Sequence, residues 1–177
     1  MRWMWIDRVL ELEPGRRLVA VKNVSMAEEH LHDHFPPRDG ATPGGARPAT
    51  PIMPGCLVIE GMAQSAGILV GHAGGFREKV LLAKITRAEL EGDAVPGDTL
   101  RYTATIQSLS PQGASTQGLV ECRRAGAAEF EPFGRIDLMF SHADQTMDLK
   151  AGGVPLPAEN FVFGEGFRTL LRTSGIA

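Results

Sequence analysis

The chain is poor in cysteine and in net charge, and each shortage excludes something. Two cysteines in 177 residues, Cys56 and Cys122, cannot form a disulfide scaffold, so a reducing cytoplasm is the default compartment. A formal net charge of −3 excludes nucleic-acid binding by bulk electrostatics. No membrane-spanning run stands out. The longest weakly charged stretch, Pro48 to Gly71, holds Gln64, Ser65 and several glycines and prolines, and reads as a helix buried in a globular core. Near the N-terminus, Arg2, Asp7 and Arg8 interrupt any signal-peptide apolar region. No internal repeat is visible. What remains is 43% hydrophobic and 22% charged, ordinary for a single soluble domain that can bury a core without staples.

The pattern along the chain is strand, helix, then several strands. Trp5 to Leu12 reads as a short helix or strand end, and Glu13 to Arg16 as a turn. Leu18 to Val24 is β-branched and reads as a strand. Glu28 to Phe35 is polar and histidine-rich. Pro37 to Thr50, rich in Pro, Gly and Ala, reads as a surface loop. Ile52 to Val70 is apolar on most sides of a helical wheel, which predicts a helix buried on most sides, with Pro54 at its start and Gly71 to Gly75 ending it. Strands are predicted at 81–85, 100–107, 115–123 and 136–140, with a turn at Pro96-Gly97-Asp98. The class is α+β, one helix against an antiparallel sheet. Beyond Ser141, residues 158–173 read as a partly helical tail; Phe161, Phe163, Phe167, Leu170 and Leu171 are too apolar to stay undocked.

Three features carry chemistry. Glu60 lies in the apolar helix with no cation one turn away. Burial favours the neutral form of such a carboxyl, which can then act as a general acid. Gln64, one turn on, can orient it. The bland alternatives are a carboxylate facing solvent or paired with a distant arginine. Next, the Gly55 and Cys56 amides follow Pro54 in the unsatisfied first turn, where they can hold a developing oxyanion. A substrate spanning this start and Glu60 has roughly 7 Å of helix axis to cover. A tight, purely structural helix entry is the alternative for Gly55, and small-residue packing for Cys56. Last, His34 stands before Phe35-Pro36 on a segment stiffened by the proline, with a ring suited to proton abstraction. Exposed loop histidines are one alternative. A metal site built on His30, His32, Asp33 and His34 is another, weakened because only His72 and His142 remain to complete it.

Together these segments resemble the bacterial β-hydroxyacyl-acyl carrier protein dehydratases of fatty acid synthesis. The carrying residues are His34-Phe35-Pro36 and the run Pro51 to Gln64, with Met53-Pro54-Gly55 at its start and Glu60 four residues before Gln64. Ile6 to Leu10, Lys22-Asn23-Val24 and Val95 to Asp98 add flanking matches, so the resemblance spans about residues 5 to 140. It implies a hotdog fold, an antiparallel sheet around one long helix, over residues 1–143. It implies a homodimer, often a trimer of dimers, with each site shared between subunits. His34 becomes the base, Glu60 of the other subunit the acid, and the Gly55–Cys56 amides the thioester holder, with Phe35, Pro54 and Gln64 in support. The partner is an acyl carrier protein bearing a 3-hydroxyacyl chain; no metal or organic cofactor is required. Glutamate at 60 resembles the purely dehydrating branch, although Pro54 to Leu57 also resembles the isomerising one. The sequence departs from the family at Asp33 and Pro37, where glycines are usual, in an insertion over 37–50, and in an extension over 144–177. A thioesterase, a dehydratase of a secondary pathway and a non-catalytic acyl binder are the competing readings.

Overall fold

Five strand pairings, all antiparallel, build one six-stranded sheet in the order β1-β2-β4-β5-β6-β3. The strands are β1 (Arg8–Glu13), β2 (Arg17–Asn23), β3 (Lys79–Leu90), β4 (Thr99–Ser110), β5 (Gly113–Arg123) and β6 (Glu131–Ala143). The helices are α1 (His30–Asp33), α2 (Gly55–Ala73) and α3 (Glu165–Thr173). A two-stranded ribbon, β7 (Lys150–Ala151) with β8 (Val154–Pro155), lies in the C-terminal region. This computed structural model describes residues 4–41, 44–143, 150–151, 154–155, 160 and 162–176. Phe161 lies outside the described residues.

The central helix exists because its sequence has few places to meet water. Leu57, Val58, Met62, Ala66, Ile68, Leu69 and Val70 are buried, and α2 packs on β2, β3, β4, β5 and β6. Each large aliphatic side chain removed from water contributes ~1.5–3 kcal/mol. By length and composition α2 could cross a membrane, but 67% of its apolar window is buried inside the protein, as in a core helix. Close approach of helix and sheet is bought with glycine: a Cβ on Gly61 would stand 2.6 Å from Tyr102 Oη, and one on Gly118 2.5 Å from Met62 Sδ. The result is an α+β hotdog fold, a sheet curled around one helix.

Several expectations shift. The helix begins at Gly55, with Pro54 as its cap, and runs to Ala73. Of the two readings for Trp5 to Leu12 the strand holds from Arg8 onward, as β1. The histidine-rich stretch contains a single helical turn, α1. The strand predicted at 81–85 is twelve residues long, because β3 is an edge strand whose charged residues do not need to alternate. Residues 37–41 and 44–49 are exposed, and this segment folds back on itself: Arg38 and Arg47 exchange backbone hydrogen bonds of 2.9 Å.

The two sheet edges differ. At the β1 edge, the Val9 N–H donates to Ser174 Oγ at 3.0 Å, just beyond α3. At the β3 edge, residues 82–89 are all exposed, Leu82 and Ile85 among them.

Candidate active site

His34 follows α1 and sits where the chain turns toward α2. Its neighbours are tied down by backbone pairing: Phe35 N to Thr50 O at 2.7 Å, Thr50 N to Phe35 O at 2.9 Å and Ile52 N to His34 O at 2.7 Å. The His34–Phe35 peptide is cis, and the two rings stack at 4.2 Å. His34 Nδ1 lies 2.8 Å from the Ile52 carbonyl. A carbonyl only accepts, so Nδ1 carries the proton and Nε2 presents a lone pair. This is the tautomer a general base needs.

Pro54, half-buried, caps α2, and its carbonyl accepts from Leu57 N at 2.9 Å. The Gly55 and Cys56 N–H groups make no hydrogen bond among the described residues. Gly55 lines the same cavity as His34 and Phe35, a space of about 470 Å³ whose walls include Met53, Val58 and Leu90. Cys56 is exposed, which corrects the packing role expected of it; the buried thiol is Cys122, pushed up to about 11 by that burial.

Glu60 stands on another cavity, of about 320 Å³. Gln64 fixes it. The buried Trp5 N–H donates to Gln64 Oε1 at 2.8 Å, which turns the amide so that Nε2 donates to Glu60 Oε1 at 2.9 Å. A protonated Glu60 would accept there with one oxygen and offer its O–H elsewhere. In the single chain Glu60 is half-buried, not sunk in the core as its apolar neighbours suggest. Helix position explains this: Gly61 to Ala66 are buried, while Ile59, Glu60 and Gly67 lie on the less covered side.

One chain therefore brings His34, Phe35 and Gly55 together, and separately Glu60 and Gln64. The expectation that one chain's helix start and Glu60 serve one substrate is not met, because they open on different cavities. The metal alternative is disfavoured by ring directions. His32 Nε2 binds Met26 O at 3.0 Å, His34 Nδ1 binds Ile52 O, and His30 packs edge-on against Trp5. Among the described residues no cluster of three or more potential ligands is arranged for a metal.

Four residues have a place at the two cavities that the sequence does not announce. The Ile52 carbonyl is a backbone acceptor without a sequence signature. Arg47, from the inserted segment, stands 5.2 Å above the Phe35 ring at the edge of the His34 cavity. Phe163 and Phe167, from the C-terminal region, help to wall the Glu60 cavity.

Comparison with known proteins agrees with this frame. The chain is 45% identical over 108 residues to a 3-hydroxyacyl-[acyl-carrier-protein] dehydratase FabZ of Symbiobacterium thermophilum, covering 60% of this chain and 68% of that one. It is 33% identical over 144 residues to the protein of the same name from Caldanaerobacter subterraneus, covering 81% and 89%. Among solved structures, the dehydratase heterocomplex ApeI:P from Xenorhabdus doucetiae superposes with a TM-score of 0.55 at 17% identity, covering 81% and 86%. An acyl-CoA hydrolase from Staphylococcus aureus does so at 0.52 and 13%, covering 78% and 69%. At such identities these two likenesses speak for the fold alone. The model of the FabA-like domain matches residues 2–123, and the chain belongs to that family.

Proposed function

We infer that this protein is a hydro-lyase that dehydrates 3-hydroxyacyl-acyl carrier protein to the trans-2-enoyl thioester in fatty acid synthesis. The observation that carries the reading is how β3 relates to the two half-sites. Leu82, near one end of β3, lines the Glu60 cavity; Leu90, at the other end, lines the His34 cavity. The edge between them is exposed. Two such edges paired antiparallel about their middle would set the Leu82 end of one chain beside the Leu90 end of the other. A two-fold dimer of this kind is self-complementary and leaves neither β3 edge open. It would face His34 of each chain with the partner's Glu60, giving two complete sites.

In such a site His34 Nε2 takes the proton from Cα of the substrate. The Gly55 and Cys56 amides, at the positive end of α2, hold the thioester oxygen as negative charge gathers there. The Cβ–O bond breaks as the partner's Glu60 protonates the departing hydroxyl, which leaves as water. The imidazolium proton then returns to the carboxylate through solvent. The thioester already acidifies Cα, so the step as written needs no metal or organic cofactor. We place the reaction in the cytoplasm, on a homodimer.

His34→Ala and Glu60→Gln are each expected to lower crotonyl-thioester hydration by more than ~10²-fold. Mixed and allowed to exchange subunits, the two dead variants should recover about a quarter of wild-type activity, because half the dimers then hold one intact site. No recovery despite proven exchange would overturn the shared site. Near-normal rates in either single variant, or release of free acid in place of enoyl thioester, would overturn the reaction.

A further inference from the structure

The cavity beside Glu60 has a wall that the rest of the fold does not supply. Its interior is apolar except for Glu60 and Gln64. Ala63 and Gly67 of α2 form one side, and Val80 with Phe140 of the sheet another. Val162, Phe163 and Phe167 form a third. These three lie beyond residues 2–123, the part that matches the FabA-like domain.

This third wall is anchored rather than draped. Asn160 Nδ2 donates to the carbonyls of Phe76 and Glu78, both at 3.0 Å. Phe163, only 5% exposed, meets Phe76 edge-on at 4.9 Å and Phe167 at 5.9 Å. Its ring fills the place where Gly71 lacks a side chain; a Cβ there would stand 2.4 Å from Phe163 Cζ. Beyond α3, Ser174 holds the β1 edge. An apolar cavity with one acidic group at its side suits the hydrocarbon end of a chain whose reacting carbons lie at that acid.

We propose that Phe163 and Phe167 form the floor of the acyl pocket and set the length of 3-hydroxyacyl chain that the enzyme accepts. This rests on the dehydratase reading above. The cavity of about 320 Å³ lies near the lower end of the ~300–1,000 Å³ usual for small-ligand sites. At ~30 Å³ per water-sized group it accommodates on the order of ten chain atoms. Each methylene buried improves binding ~4-fold. Apparent affinity should therefore climb with chain length and then break where the methyl end reaches the phenyl rings.

The test is kcat/KM for acyl carrier protein substrates from 3-hydroxybutyryl to 3-hydroxypalmitoyl. Wild type should show a break at medium length. Phe167→Ala should raise the 3-hydroxymyristoyl to 3-hydroxyhexanoyl ratio by about tenfold or more, the worth of roughly two methylenes. Val162→Trp narrows the cavity and should move the ratio the other way; it also serves should Phe167→Ala fold poorly. A profile without a break, or the same ratio in wild type and a folded variant, overturns the proposal and leaves the reaction standing. If wild type dehydrates no chain, the reaction reading fails instead. Calorimetric binding of saturated acyl-pantetheines of the same lengths then decides the pocket: a break displaced by the variants supports it, and affinity independent of length overturns it.

Discussion

Gln64 is the residue whose loss separates stability from catalysis most cleanly. Its amide joins groups of different kinds, among them the Trp5 backbone N–H and the Glu60 carboxyl. Gln64→Leu keeps the bulk and removes both of these hydrogen bonds. Taking the acceptor from a buried backbone donor costs ~1–3 kcal/mol, which in a domain of this size is a fall of roughly 2–12 °C in Tm. The freed Glu60 would no longer be held over its cavity, and a misplacement of about 1 Å can cost ~10²-fold in rate. KM should move little, because Gln64 is not asked to bind the thioester. A double-mutant cycle with Glu60→Gln isolates the two effects. In stability, Gln64→Leu should cost the same in either background, because Trp5 is affected alike. In activity, Gln64→Leu should cost nothing further once Glu60 is gone. Thermal denaturation reads the first, and ultraviolet loss of the enoyl thioester in the hydration direction reads the second. A rate for Gln64→Leu within about twofold of wild type would refute the positioning argument. A Tm change confined to the wild-type background would refute the account of Trp5.

Two further substitutions probe the frame around the site. Ile85→Lys, in the exposed middle of β3, places a charge where two edges would pair; sedimentation should show monomer and the hydration rate should fall with it, whereas an intact, active dimer would exclude that edge as the interface. Gly61→Ala drives a methyl to 2.6 Å from Tyr102 and 2.9 Å from the Trp5 carbonyl, so urea unfolding should show a loss of ~1–3 kcal/mol despite alanine's better helix propensity; an unchanged or improved midpoint would refute the packing argument.

The sequence announces elements that are apolar and continuous, and conceals those whose meaning depends on a neighbour. Leu57 to Val70 read as a buried helix because hardly any residue there can tolerate water, and α2 is where that reading puts it. Leu100 to Gln107 alternates and lies within β4. β3 was legible only over its first apolar residues. Lys84, Thr86, Arg87 and Glu89 break the alternation because an edge strand with exposed faces has no core to point at. Within the site, residue types were legible and their grouping was not. His34 and Glu60 can be named from their surroundings in the chain, but their separation into two cavities follows from the curl of the sheet around α2. The tail's aromatics announced that it docks, not where. The missing clue was Gly71: a glycine inside a helix costs ~1 kcal/mol against alanine, and here the vacancy receives Phe163.

The division of the half-sites has a physical logic of its own. An imidazole and a carboxyl in contact within one chain would tend to pair as ions, leaving neither a free base nor a free acid. Here each is held by its own chain before any partner arrives, His34 by the Ile52 carbonyl and Glu60 by the Gln64 amide. In the dimer proposed above, assembly would need only to set the gap between two prepared groups. That gap would be governed by the pairing register of β3, and a slip of one residue would move the strand ends by ~3.3 Å and turn every side chain over. Such a slip would be ruinous to a site that tolerates about 1 Å. The register shifts already present in β3, between Leu82 and Lys84 and between Ile85 and Arg87, lie in the stretch that would pair in the proposed dimer. They make the edge irregular and so reduce the number of ways two copies can fit, which is the constraint a catalytic gap between subunits requires.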